Sequence, residues 1–161
     1  MNQKYREHRG PVKSIVWMDD DTGFISAGRD DHQIILWRLK PKIFKENDPN
    51  RAKPGNLEEE GKVKIWSHKQ GTTQFFDCQV REEDPDKNGE PKKIVVFTAS
   101  RDGAIRELLE GRSRAKYETG YQYSQLRLMH GHKAFFAGVS NPNIPGAIHV
   151  ITYPFADERR I

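Results

Sequence analysis

His8, Ser26 and Asp30 are the residues whose types could do chemistry if set side by side. A histidine held between a serine and an aspartate can take the serine's proton, which is the basis of acyl transfer in hydrolases. Eighteen residues separate His8 from Ser26, four separate Ser26 from Asp30, and Trp37 follows. A hydrolase also needs an oxyanion hole and a nucleophile raised on a tight turn. No Gly-x-Ser-x-Gly elbow occurs in the sequence, so the catalytic reading lacks its second half.

Other candidates are weaker. His130-Gly-His132 has the spacing of a metal-ligating pair, but no Asp, Glu or Cys stands near enough to complete a set. A tight turn with Gly131 at its tip is the expectation, with His32 at a turn and His149 in a strand. Cys78 is the single cysteine, so no intramolecular disulfide can form. It stands in an alternating segment beside Phe76 and is expected to be a buried, inert thiol. A reducing compartment is the simplest setting. Phosphate-binding glycine loops are absent from the sequence. No cofactor or metal is expected.

Arg38, Lys40, Lys42, Lys45, Arg51 and Lys53 form a basic run opposed by Glu46 and Asp48. Such a run can meet an acidic protein surface or a nucleic acid. Phe44 is its lone aromatic, which is poor for stacking bases. The plain expectation is a solvated loop. Arg112, Arg114 and Lys116 make a smaller patch of the same kind.

These residues must be positioned by short strands. The chain has 161 residues, 35% hydrophobic and 31% charged, with a formal charge of +4. A chain this polar concentrates its core in a few dense segments. Val12–Trp17, Phe24–Ala27, Gln33–Trp37, Lys62–Trp66, Thr73–Val80, Lys93–Thr98, Ala104–Leu108, Tyr121–Met129, Lys133–Val139 and Ala147–Tyr153 are those segments. They alternate with period two, are rich in β-branched and aromatic residues, and are separated by Gly, Asp, Asn or Pro. The reading is all-β, with antiparallel strands. Residues 40–61 and 81–91 are polar and read as surface insertions. No apolar run reaches the roughly 20 residues a spanning helix needs, and the N-terminus has no secretory apolar region.

Self-comparison reveals a repeat. Ser26-Ala-Gly-Arg-Asp30 aligns with Thr98-Ala-Ser-Arg-Asp102, and a weaker third copy begins at Phe136-Ala-Gly-Val-Ser140. Discounting the insertions, the period is about 40 residues. Each repeat holds several strands. The chain thereby resembles the WD40 β-propeller family. That family places a His before the first strand, a Ser or Thr in the second, an Asp in the next turn and a Trp in the third. His8, Ser26, Asp30 and Trp37 match in the first repeat, although Asp30 to Trp37 is one residue longer than usual, which implies an enlarged turn. The second repeat offers His68, Thr98 and Asp102, with Leu108 in place of Trp. The third has Gly120, Ala137 and Ile151 at the corresponding places.

The resemblance implies about three WD40-like four-stranded antiparallel blades of an incomplete propeller, with two polar insertions. The implied boundaries are a first blade at 1–39, an insertion at 40–61, a second blade at 62–112 that contains the insertion at 81–91, a third at 113–154 and a tail at 155–161. The serine, histidine and aspartate become a blade-locking network rather than a catalytic set. Propeller rings have about four to eight blades. Three therefore need another chain or a further segment to close the ring.

The closing segments, Tyr123–Met129, Lys133–Gly138 and Pro145–Pro154, are similar to the last repeat of the cilia- and flagella-associated WD-repeat proteins. That likeness implies a non-catalytic scaffold in the cytoskeleton of the ciliary axoneme, with other proteins of a large complex as partners and no membrane. The alternative is an adaptor that binds nucleic acid, or a nuclear or cytosolic complex, through the basic run.

Overall fold

The structure is a computed structural model that describes residues 6–19, 23–39, 62–69, 71, 73–84, 92–129, 131, 133–140, 143, 146–154 and 159–160. For residues 39, 62–69 and 159–160 it describes the backbone alone.

Among the described residues the fold is all-β and forms three antiparallel sheets. The first holds β1 (Val12–Trp17), β2 (Gly23–Gly28), β3 (Gln33–Leu39) and β4 (Lys62–Lys69), in that spatial order. The second holds β5 (Phe75–Glu83), β6 (Lys93–Ser100), β7 (Ala104–Leu109) and β8 (Arg112–Glu118). The third holds β9 (Tyr123–Leu128), β10 (Ala134–Val139) and β11 (Ile148–Thr152). A two-residue β12 (Arg159–Arg160) adds to the outer edge of β8. Among the described residues the sheets do not close into a barrel, and their arrangement is consistent with a run of propeller blades.

Pairing moves the expected boundaries. β4 pairs with β3, with Leu36 opposite Trp66. The segment from Lys62 therefore completes the first sheet instead of opening the second, and residues 40–61 join two strands of one sheet. β8 likewise closes the second sheet, with Ile105 opposite Tyr117. β5 runs on to Glu83, so residues 81–83, expected in an insertion, are strand. Sequence alternation marks a strand but not its neighbour, and the neighbour decides the sheet.

Local chemistry explains the tight turns. Glu110 and Gly111 join β7 to β8 with φ of 48° and 77°. Two left-handed residues in a two-residue loop match the right-handed twist of the flanking strands. Glu110 pays for its unfavourable backbone partly by bonding: its Oε1 accepts the Ile94 N–H at 2.6 Å.

The core lies between the sheets. Ile25, Ala27, Ile34 and Leu36 of the first meet Phe75, Cys78, Ile94, Val96 and Leu108 of the second. Val95, Phe97, Ala99 and Ile105 on the other face of the second meet Tyr123, Leu126, Phe135, Ala137 and Ile151 of the third. The second sheet is therefore covered on both faces, which is why β6 reads as an unbroken apolar run. On the far side of the first sheet, Phe24, Ile35 and Trp37 form a small cluster. Trp17 and Ile15 beside it are 55% and 59% exposed.

Candidate functional site

β1, β2 and β3 bring the first polar set together. Trp37 Nε1 donates to Ser26 Oγ at 2.8 Å, and Ser26 Oγ lies 2.6 Å from His8 Nε2. His8 Nδ1 lies 2.7 Å from Asp31 Oδ2. With Nδ1–H donating to the carboxylate, Nε2 accepts the serine hydroxyl, and every polar atom of the chain of bonds is used. Asp31 also accepts the N–H groups of Arg9 at 3.0 Å and Gln33 at 3.3 Å.

The carboxylate on His8 is thus Asp31 and not the expected Asp30. Asp30 is exposed, pairs with Arg29 at 3.1 Å and accepts a bond from Gln74 at 3.4 Å. Taking Asp31 as the turn residue also removes the extra residue before Trp37, so no enlarged turn is required. Gly28 makes the pairing possible. A Cβ there would fall 2.0 Å from Asp31 Oδ1 and 2.5 Å from His8 Nδ1.

The bond order resembles a proton relay, but its surroundings do not. Ser26 is 3% exposed and its oxygen already holds Trp37. An attacking serine needs a free approach to a carbonyl carbon.

The second repeat assembles a different set. Thr98 is buried, and its Oγ1 has no hydrogen-bond partner among the described residues. Asp102 instead accepts Ser100 Oγ at 2.7 Å, the Ala104 N–H at 3.3 Å and the guanidinium of Arg106. Arg106 also donates to Ser100 at 2.7 Å. Arg106 stands opposite Thr98 across β6 and β7. Partial burial pushes the Asp102 carboxyl up, but the bonds from Arg106 and Ser100 outweigh it and hold its pKa at about 2. Leu108 lies in the core between the first two sheets. His68 sits in β4 of the first sheet, opposite Ile34, and its side chain lies outside the described residues.

Two polar clusters were not expected from the sequence. Asp77 is buried on β5, where its Oδ1 accepts Ser14 Oγ of β1 at 2.5 Å. Its Oδ2 accepts the Leu126 N–H and Arg127 Nη1 of β9 at 2.8 and 2.9 Å. One carboxylate therefore bridges the first strands of all three sheets. Further out, Arg81, Glu83, Glu107, Arg114 and Tyr153 interlock. Arg114 donates to both oxygens of Glu83 at 2.9 and 2.8 Å and also pairs with Glu107. Tyr153 donates to Glu107 at 2.9 Å and Arg81 lies over its ring at 4.8 Å. The Arg114 bonds pull Glu83 below the usual carboxylate range, and burial raises the Tyr153 hydroxyl. The sequence signal was present: Arg106-Glu107 is a charged pair inside an otherwise apolar strand, and buried charges are kept when they are paired.

The remaining candidates separate in space. Cys78 is fully buried, and burial with the neighbouring Asp77 charge raises its thiol to about 12. His32 takes a left-handed φ of 57° and its Nδ1 bonds the Thr73 carbonyl at 2.9 Å. His149 bonds the Tyr123 hydroxyl at 2.9 Å. Arg38 lies half-buried in β3. Lys40, Lys42, Lys45, Arg51, Lys53, His130 and His132 lie outside the described residues. Among the described residues, no group of three metal-ligating side chains is present, and no helix is long and apolar enough to cross a membrane.

No protein-family model matches the chain. The chain has a distant sequence likeness to a cilia- and flagella-associated protein. The particular relative is cilia- and flagella-associated protein 57 A of Tetrahymena thermophila, 28% identical over 166 residues. The match takes in 92% of this chain and 12% of that protein, so the chain spans about an eighth of its relative's length.

Proposed function

We propose that the chain is a non-catalytic WD40-type scaffold module that docks other proteins in the ciliary axoneme. The observation that carries the ciliary part is the likeness to a cilia- and flagella-associated protein across nearly the whole chain. Stacked antiparallel sheets and the His8, Ser26, Asp31 and Trp37 network support the WD40 part. Burial of Ser26 supports a structural role for that network. Fold alone does not decide function, so the surface must be tested directly. A tagged chain expressed in a ciliated cell should stay with axonemes after membranes are removed with detergent. A chain that washes out entirely with the soluble fraction would overturn the reading.

A further inference from the structure

The edge of a sheet presents a row of unpaired N–H and C=O groups, and folded chains block such edges with charged residues, bulges or short strands. Most edges of this fold are blocked in that way. β1, β4, β5 and β9 each carry charged residues, and each pairs with its neighbour through a register shift. The short β12 consists of two arginines. β11 has neither device. Its sequence, Ile148-His-Val-Ile-Thr152, holds no lysine, arginine or carboxylate. It pairs with β10 without a shift from Ile148 to Thr152.

The pairing with β10 fixes where the backbone groups of β11 point. The Val139 N–H donates to the Ala147 carbonyl at 3.0 Å, and the Tyr153 N–H donates to the Lys133 carbonyl at 2.9 Å. Bonded residues alternate along an antiparallel pair. His149 and Ile151 therefore bond β10, while Ile148, Val150 and Thr152 turn their N–H and C=O groups outward. Ile148 and Val150 are 69% and 61% exposed. Among the described residues no strand lies on that side of β11. At the equivalent place the first sheet has β4 beyond β3 and the second has β8 beyond β7. The strand that follows β11 in the chain, β12, pairs with β8 instead.

We propose that β11 accepts an extended segment of a partner protein as the fourth strand of the third sheet. Main-chain hydrogen bonds to Ile148, Val150 and Thr152 supply the affinity, and side chains at alternate positions supply the selectivity. Phe136 stands opposite Val150 on the exposed face, and Ile148 lies two residues along the same strand. β-branched and aromatic side chains pair well with such neighbours, whereas a charge set among them would lose its water. The fitting segment is thus uncharged and rich in β-branched or aromatic residues. The inference deepens the scaffold reading and rests on it, because it names one docking edge and the chemistry of what docks there.

A fluorescein-labelled peptide that alternates valine with threonine is the probe, added to the full chain and followed by fluorescence anisotropy. Saturable binding is expected, with slower hydrogen exchange at the amides of Ile148, Val150 and Thr152. The same peptide with every amide N-methylated should not bind, because it lacks the donors that strand addition needs. Val150→Pro keeps the pairing with β10, since the lost N–H points away from it. It removes one bond to the probe and should weaken binding by about tenfold. Ile148→Lys puts a charge on the edge at an exposed position and should weaken binding as well. If circular dichroism shows Val150→Pro unfolded, Ile148→Lys decides. A probe that does not bind overturns the proposal, as does binding that the folded variants leave unchanged. Edge amides already slow to exchange in the chain alone, through a second copy or another segment of the chain, overturn it too. Axonemal retention is read separately: a chain that stays with axonemes and ignores the probe removes this edge and leaves the scaffold reading standing.

Discussion

Asp77 Oδ2 accepts the backbone N–H of Leu126 at 2.8 Å, so a side chain of the second sheet completes the hydrogen bonding of the third. The same carboxylate holds Ser14 of the first sheet. Removing it with Asp77→Ala leaves a buried amide without a partner, and each such group costs about 1–3 kcal/mol. Urea denaturation should show a fall in midpoint of that order. Asp77→Asn keeps one acceptor oxygen and should lose less.

The His8 network makes a second prediction. Ser26→Ala removes the acceptor of Trp37 and the partner of His8. Loss of about 1–3 kcal/mol of stability is expected on the same grounds, with no hydrolytic activity lost because the proposal assigns the set none. Gly28→Ala should be at least as harmful, since its methyl group meets Asp31 and His8 inside van der Waals contact. Overpacking of that kind costs roughly 1–3 kcal/mol. Thermal melts of the two variants check both statements, and a neutral Gly28→Ala would show that Asp31 can leave His8 without cost.

The Asp31 pairing also shows what sequence can and cannot carry. Period-two alternation marks a strand where one of its faces is buried. The repeat of Ser26-Ala-Gly-Arg-Asp30 and Thr98-Ala-Ser-Arg-Asp102 marks equivalent strands and turns. Choosing between Asp30 and Asp31 is different. The two are adjacent and chemically identical, and the choice is made by the turn, in which His32 adopts a left-handed φ. Placing Lys62–Lys69 in the first sheet depends on strand pairing across residues 40–61, which local pattern does not encode. The cluster around Arg114 joins residues from Arg81 to Tyr153. Glu107 stands out as a charge inside an apolar strand, whereas Arg81, Glu83 and Arg114, taken alone, read as ordinary surface residues.

Acid should weaken the fold in a defined window. Asp102 has a folded pKa of about 2, below the roughly 3.9 of an unfolded aspartate. Its contribution is present above the unfolded value and is lost as pH falls through about 2, because the unfolded chain binds the proton first. Glu83 is shifted in the same direction, chiefly by its bonds from Arg114. Stability measured by urea denaturation should fall between about pH 4 and pH 2. Asp102→Asn should be less stable than the wild type at neutral pH, and the two curves should converge towards pH 2. Parallel curves would mean that Asp102 is not the group that titrates.

Cys78 offers a check that needs no variant. Its thiol is fully buried and raised to about 12, and only the thiolate is nucleophilic. The folded chain should leave a thiol-specific disulfide reagent unreacted at pH 8 and release one equivalent on unfolding in urea. Rapid reaction of the folded chain would show that the interface between the first two sheets opens readily.

The second sheet packs on a neighbouring sheet at both faces, whereas the first and third each pack on one such sheet among the described residues. In stacked repeats, stability is set by each unit and by its nearest neighbours. The middle unit gains from two neighbours and each flanking unit from one. The chain is therefore graded from its centre outward: local opening begins in the flanking sheets, and the amides of β6 and β7 exchange only when the molecule unfolds as a whole.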